Sequence, residues 1–180
     1  MALNTYRNNP EYPDRYTRNT EWKKVLPIQG RPLQAAELTE VQSIVQDNLK
    51  QGFDTLFKNG SIIQGLRISV VSKTFDTAVI SISDGQLYIE GTIIDVNGGT
   101  LTIPTNDIYN IVVIISENII TELEDVNLRD PIKGGFVLGT PGASRLIWTA
   151  NIGFSNVETI INNSYSIDQL NSGVLIQKDL

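Results

Sequence analysis

Apolar residues recur with a helical period in one stretch of the chain and with a strand period through most of the rest. Over 34–58 the sequence QAAELTEVQSIVQDNLKQGFDTLFK holds no proline and one glycine, Gly52. At 100° per residue, Leu38, Val41, Val45, Leu49, Phe53 and Leu56 fall within about 120° of arc, and Phe57 widens that face. Glu40, Asp47, Lys50, Asp54 and Lys58 lie on the other side. Lys58, Asn59 and Gly60 supply a stop, with a cation in the last turn and residues tolerant of positive φ after it. The pattern predicts an amphipathic helix about 35–40 Å long. Burying its six apolar side chains would contribute roughly 9–18 kcal/mol before ordering entropy. The simpler partner for that face is the chain's own sheet; the alternative is packing around a symmetry axis. Asn48 and Gly52 near the face interrupt any strict heptad.

Beyond residue 60 the texture changes. The last 120 residues contain 22 Ile, 10 Val and 10 Thr, an excess of β-branched side chains that favours strands over helices. Strands are predicted at 61–73, 77–83, 86–90, 92–96, 100–104, 109–116, 118–123 and 144–155, with a weaker one at 173–177. Turn chemistry separates them at Ser83-Asp84-Gly85, Glu90-Gly91, Asn97-Gly98-Gly99 and Ser116-Glu117-Asn118. Ala78 to Ser83 alternates, whereas Ile111 to Ile115 is apolar throughout and reads as covered on both faces. Many short strands at close spacing suggest a sandwich or small barrel. No internal repeat at a fixed period is present.

The first 33 residues follow neither period. Pro10, Pro13, Pro27 and Pro32 argue against a long helix. Tyr12, Tyr16, Trp22, Val25, Leu26 and Ile28 give more apolar and aromatic mass than a solvating tail carries. This favours an arm that orders on a surface, whether of its own domain, a neighbouring copy or a different protein. The expected class is therefore α+β: an extended arm over 1–33, an amphipathic helix over 34–59, and a mainly antiparallel β-sandwich or small barrel over 60–180.

Composition narrows the chemistry. The 180 residues include neither Cys nor His, and the formal net charge is −6. Disulfides, thiol nucleophiles, imidazole bases and the usual zinc sites are thereby excluded. Residues 1–60 balance at +1 and residues 61–180 at −7. Such an acidic balance argues against nucleic acid, whose binding needs clustered Lys and Arg. No stretch approaches the roughly 20 apolar residues of a membrane span, and the start lacks a signal-like apolar segment. The expectation is a soluble protein made in a cytoplasm.

The densest acidic group is Glu122, Glu124, Asp125 and Asp130. It lacks the order of a calcium loop, and as a glycosidase pair it would need a cleft and a raised pKa, so a solvated turn is the simpler reading. Gly134-Gly135 and Gly139 with Pro141-Gly142 have the wrong spacing for a phosphate loop and read as turn residues. Trp22 and Trp148 could each line a sugar site, although core and interface aromatics are commoner. No catalytic residue, cofactor or metal is expected, and nothing points to an enzyme.

Several segments together resemble a bacteriophage family. Gly30, Arg31, Leu33 and Gln34, followed by Glu37, Leu38, Glu40, Gln42, Ser43 and Ile44, fit its pattern G-R-x-L-Q and then E-L-x-E-x-Q-S-I. The run 56–65, LFKNGSIIQG, is similar to its L-F-K-D-G-x-I-I-x-G. Residues 84–91, DGQLYIEG, resemble its strand ending in a D/E-G turn. Glu122 to Asp125 with Leu128 to Pro131, and Pro141 to Leu146, are similar to its D-x-x-L-x-D-P and P-G-A-x-R-L segments. The family is a domain of formally unknown function at the N-termini of phage tail fibres and baseplate-associated proteins. The resemblance runs in order from about residue 12 to residue 150.

This resemblance implies a structural virion protein, assembled in the host cytoplasm, that anchors a fibre to the baseplate. It implies a homotrimer whose partners are itself, baseplate proteins and distal fibre proteins. On that reading the arm, especially Tyr12, Tyr16 and Trp22, docks on the baseplate, and Leu38, Val41, Val45 and Leu49 form the trimer contact. Family members continue into fibre repeats or a receptor-binding tip, so the chain is expected to be a short adaptor or to have a distal part beyond Leu180. Two alternatives remain: a monomeric adaptor clamping two virion proteins, and a carbohydrate-binding or depolymerase module using Trp148 or the acidic cluster.

Overall fold

The computed structural model describes residues 3–131, 139–159 and 161–176. Gly134, Gly135 and the last residue of the strand expected at 173–177 lie outside them. Ten strands and one α-helix make a mainly antiparallel β protein with open sheets. Helix α1 is Ala35–Phe53; the strands are β1 Ser61–Gly65, β2 Ile68–Lys73, β3 Thr77–Ile82, β4 Gly85–Ile89, β5 Thr92–Val96, β6 Gly99–Pro104, β7 Ile108–Ile120, β8 Arg145–Asn156, β9 Ser164–Asn171 and β10 Val174–Ile176.

The first six strands are three long strands, each bent once. Pairing runs β2-β3-β6 in one sheet and β1-β4-β5 in another, with the middle strand of each drawn from the same bent β3–β4 segment. The bend falls at Leu66-Arg67, Ser83-Asp84 and Asn97-Gly98, where three backbones pass at close quarters. A Cβ on Gly65 would lie 2.1 Å from the Asp84 carbonyl oxygen, and one on Gly98 would lie 2.3 Å from that of Ile82. Only glycine fits such approaches. Leu66 N–H donates to Asp84 O, Ser83 N–H to Arg67 O, and Gly98 N–H to the Asp84 carboxylate at 2.7 Å, so the corner keeps its hydrogen bonds.

A four-stranded sheet, β10-β9-β7-β8, closes the other side. The core lies between the layers and is built from Ala78, Ile80, Ile82, Leu87, Ile89, Val96, Ile103, Ile111, Val113, Ile115, Ile167 and Leu170. The arrangement fits a sandwich; no sheet closes into a barrel among the described residues.

Two strand boundaries differ from expectation. Ser116-Glu117-Asn118 is no turn: β7 runs straight through it because β8 pairs with it residue for residue, Ser116 with Thr149 and Asn118 with Ile147. Strand β9 went unpredicted because its two core residues, Ile167 and Leu170, are three apart. A bulge opposite Ile111 and Val112 makes Ile167 an extra residue and returns both side chains to one face.

The helix also departs from its predicted form. It ends at Phe53 rather than near Lys58. Asp54 accepts from the Tyr88 hydroxyl at 2.7 Å and from Lys50 Nζ at 2.9 Å, and the chain turns so that Phe53 and Phe57 both meet the Tyr88 ring. Above all, only the C-terminal end of its apolar face, at Phe53, meets the chain's own sheet; Leu38, Val41, Val45 and Leu49 stay about half exposed. The buried residues of α1 are Ala36, Glu40, Ser43 and Ile44, on the side that periodicity assigned to solvent.

The reversal comes from the N-terminal segment. Residues 14–16 lie against that polar side, while Asn4 and Thr5 are tied to Glu117 of β7 and Tyr12 to Ser144, so residues 4–16 form a strap over the chain's own domain. Arg15 pairs with Glu40 at 2.5 Å, Ser43 Oγ donates to Asp14 at 2.6 Å, and the Tyr16 hydroxyl donates to Asp47 at 2.9 Å. The hydrogen bond and charge of Glu40 hold the Arg15 guanidinium above its ordinary pKa.

At the far end of α1 the β4–β5 hairpin presses against Lys50. Glu90 and Gly91 both have positive φ, as a two-residue type I′ turn requires, and a Cβ on Gly91 would lie 2.8 Å from Lys50 Cα. Gly91→Ala is therefore expected to destabilise the fold by about 2–3 kcal/mol, read as a lower urea midpoint at unchanged slope.

Candidate functional site

No group of three or more metal-ligating side chains occurs among the described residues. The acidic cluster after β7 caps its own turns. Glu124 accepts from the Thr121 backbone at 2.8 Å and from its hydroxyl, which holds the carboxyl below its usual range. Asp125 accepts from the Asn127 N–H. Trp148 is half-buried, with its indole N–H on Glu117 at 3.0 Å. Three surface features stand out beside these.

The first surface is the outer face of α1. Leu38, Val41, Val45 and Leu49 are 54%, 44%, 52% and 50% exposed and form a continuous apolar stripe along the helix. Because the strap holds the helix by its polar side, the stripe faces outward.

The second is the N-terminal region itself. Of the three aromatics expected to dock elsewhere, two are engaged within the protein. The Tyr12 hydroxyl donates to Ser144 at 3.0 Å, and Tyr16 is buried against α1. Burial and the neighbouring Asp47 push the Tyr16 hydroxyl pKa up. Trp22 is exposed, and Leu26, Ile28 and Leu33 after it are exposed too. The structure therefore brings Tyr12 and Tyr16 into the strap and leaves Trp22 apart from them.

The third is a groove of about 580 Å³ between α1, β5 and β8, lined by Arg7, Asp47, Leu49, Ile93, Leu146 and Trp148 among others. Sequence reasoning could not find it, because its walls come from four separated segments. The residues that pin the strap were likewise missed: Arg15 and Glu40 are 25 positions apart, with no local pattern linking them.

One end of the strap is held by a single carboxylate. Glu117 accepts from the N–H of Asn4 at 2.5 Å, the N–H and hydroxyl of Thr5 at 2.7 and 2.6 Å, and the Trp148 indole. Burial opposes its charge, but these donors together hold its pKa below the ordinary value. The stabilisation is thus full above the unfolded carboxyl pKa, about 4.3, and is lost as pH falls through the lower folded value. Acidification below pH 4 should loosen residues 4–5, seen as faster amide exchange and a shift in Trp148 fluorescence. Glu117→Gln should abolish that pH dependence. Tyr16→Phe should cost about 1 kcal/mol and Tyr16→Ala about 3–5 kcal/mol in urea unfolding, since the ring is part of the fold.

No curated protein matches the sequence. Among solved structures, the crystal structure of TssK is similar over 85% of this chain at 9% identity, with a TM-score of 0.41. The chain spans 40% of the length of that protein, and so distant a likeness speaks neither for a shared function nor against one. The family evidence is direct: residues 10–180 match the model of a domain of unknown function, DUF4815, and the chain belongs to that family.

Proposed function

We propose that this protein is a structural component of a phage tail, forming the base of a tail fibre at the baseplate as a homotrimer. The observation that carries the proposal is the outward stripe of Leu38, Val41, Val45 and Leu49 on a helix already committed on its other side. Partial burial of four such side chains would contribute about 3–6 kcal/mol per helix, a range suited to association of folded subunits. The motifs from Gly30 to Ile44 and from Leu56 to Gly65, which resemble phage fibre and baseplate proteins, favour this assembly over a generic oligomer.

The mechanism is mechanical and multivalent. Three copies joined at their helices present three identical surfaces, and the high effective concentration turns weak contacts with baseplate proteins into durable attachment. No chemistry is required of any side chain. The alternative of a glycan-acting module would use Trp148, whose indole donates to Glu117, or the acidic cluster, whose Glu124 and Asp125 cap their own turns, and neither placement adds support to it.

Light scattering after size exclusion should give about 60 kDa, three times the 19.9 kDa chain. Replacing both Val41 and Val45 with Asp should reduce this to the monomer mass while leaving the circular dichroism unchanged. A stable wild-type monomer would instead favour an adaptor, and a double variant that stays fully trimeric would overturn the helix contact.

A further inference from the structure

The segment between the strap and α1 is built unlike the rest of the chain. Residues 22–26 make no backbone hydrogen bond through their N–H groups, and no side chain from Trp22 to Ile28 makes a hydrogen bond or ion pair among the described residues. Trp22, Leu26 and Ile28 are exposed along with Lys23, Lys24 and Pro27, and Val25 alone is half-buried. It is a stretch of exposed apolar side chains on a backbone whose donors from 22 to 26 are unmet by other backbone among the described residues.

The segment also has slack. It starts after Tyr16, which sits against Asp47, and must return only to Gln34 at the start of α1. Those two points are about 20 Å apart along the helix, whereas 17 residues reach up to about 55–60 Å. It can therefore move outward without disturbing the strap.

The groove between α1, β5 and β8 offers what this segment lacks. Among the described residues strand β5 pairs with β4 alone and β8 with β7 alone, so each has an edge without a strand partner. Ile93 and Leu146 on those strands, and Leu49 on α1, stand partly exposed around it. Its volume of about 580 Å³ is in the range that buries several side chains. The charges are complementary. Among the described residues Asp47 and Asp95 at the groove accept hydrogen bonds from neutral donors, Tyr16 and Gln51 for the first and Gln86 for the second, while the groove's cations are already paired, Arg7 with Asp14 and Lys50 with Asp54 and Glu90. Lys23 and Lys24 have no ion pair among the described residues. Leu49 belongs both to the groove and to the outward stripe, so a neighbour packed on the stripe lies beside the groove.

We propose that residues 22–28 of one copy seat in the α1–β5–β8 groove of a neighbouring copy, adding main-chain hydrogen bonds at its strand edge and placing Lys23 and Lys24 near Asp47 and Asp95. The proposal rests on the self-association reading and supplies its partner element. It makes each subunit's linker a reciprocal clasp, so that the assembly is held by strand addition as well as by the helix stripe.

The absence of native cysteine gives a clean test. A chain carrying both Leu26→Cys and Ile93→Cys, oxidised under mild conditions, should yield covalent species of two or more chains up to the mass found by light scattering. The pair Leu26→Cys with Val71→Cys, whose second site is on the remote strand β2, should stay uncross-linked. Adding Lys23→Glu and Lys24→Glu should lower the Leu26–Ile93 yield several-fold. An intramolecular 26–93 disulfide alone, no disulfide in a protein of about 60 kDa, or equal cross-linking to residue 71 would overturn the exchange and leave self-association standing. A monomer mass of 19.9 kDa for the uncross-linked protein would overturn both.

Discussion

Three carboxylates lie where the N-terminal strap crosses α1, and each is met by a donor from the other side or its own neighbour: Glu40 by Arg15, Asp14 by Ser43, Asp47 by Tyr16. Glu40 is 3% exposed and Ser43 is fully buried, so these contacts are made away from water, where an unmatched partner is costly. Arg15 keeps its outer edge in solvent and so avoids the full desolvation penalty of an ion pair. This junction fixes the rotation of α1 about its axis. Once the polar side is committed inward, the apolar side has nowhere to go but out.

The β domain constrains the same helix from its other end. Tyr88, fully buried in β4, donates to Asp54 and accepts from the Gly91 N–H, while Lys50 joins Asp54 to Glu90. Burial and the Asp54 charge raise the Tyr88 hydroxyl pKa, and Tyr88 and Lys50 in turn lower that of Asp54. The hairpin turn can approach only because Gly91 has no side chain. The helix is therefore held at both ends by polar contacts, with Phe53 on Tyr88 at the second, and carries Leu38, Val41, Val45 and Leu49 about half exposed.

The motifs that resemble the phage family take on structural meaning in this frame. Gln34 and Glu37 open α1, with the Gln34 N–H on the Glu37 carboxylate at 2.8 Å. Glu40 and Ser43 are strap contacts. Gly60 and Gly65 sit at positive φ at either end of β1, and the 84–91 segment forms the corner, strand and turn that meet α1. These residues hold the helix and sheet in register.

Local periodicity was enough to locate α1, the β-rich character of the remaining chain, and the turns at Ser83-Asp84, Glu90-Gly91 and Asn97-Gly98, because each depends on neighbours a few residues away. The same local information left open whether the apolar face of α1 turned to the chain's own sheet or outward. Hydrophobic patterning identifies which side of a helix prefers burial, but Arg15, Asp14 and Tyr16 satisfy the polar side from 25 to 31 positions away. Strand β9 was hidden by a bulge, and the break expected at Ser116-Glu117-Asn118 vanished because β8 pairs across it. The sequence by itself determined the elements and the absence of cysteine and histidine chemistry. Only the tertiary structure decided which surfaces remain open, because exposure is set by long-range pairing of charges and strand edges rather than by the side chains that end up exposed.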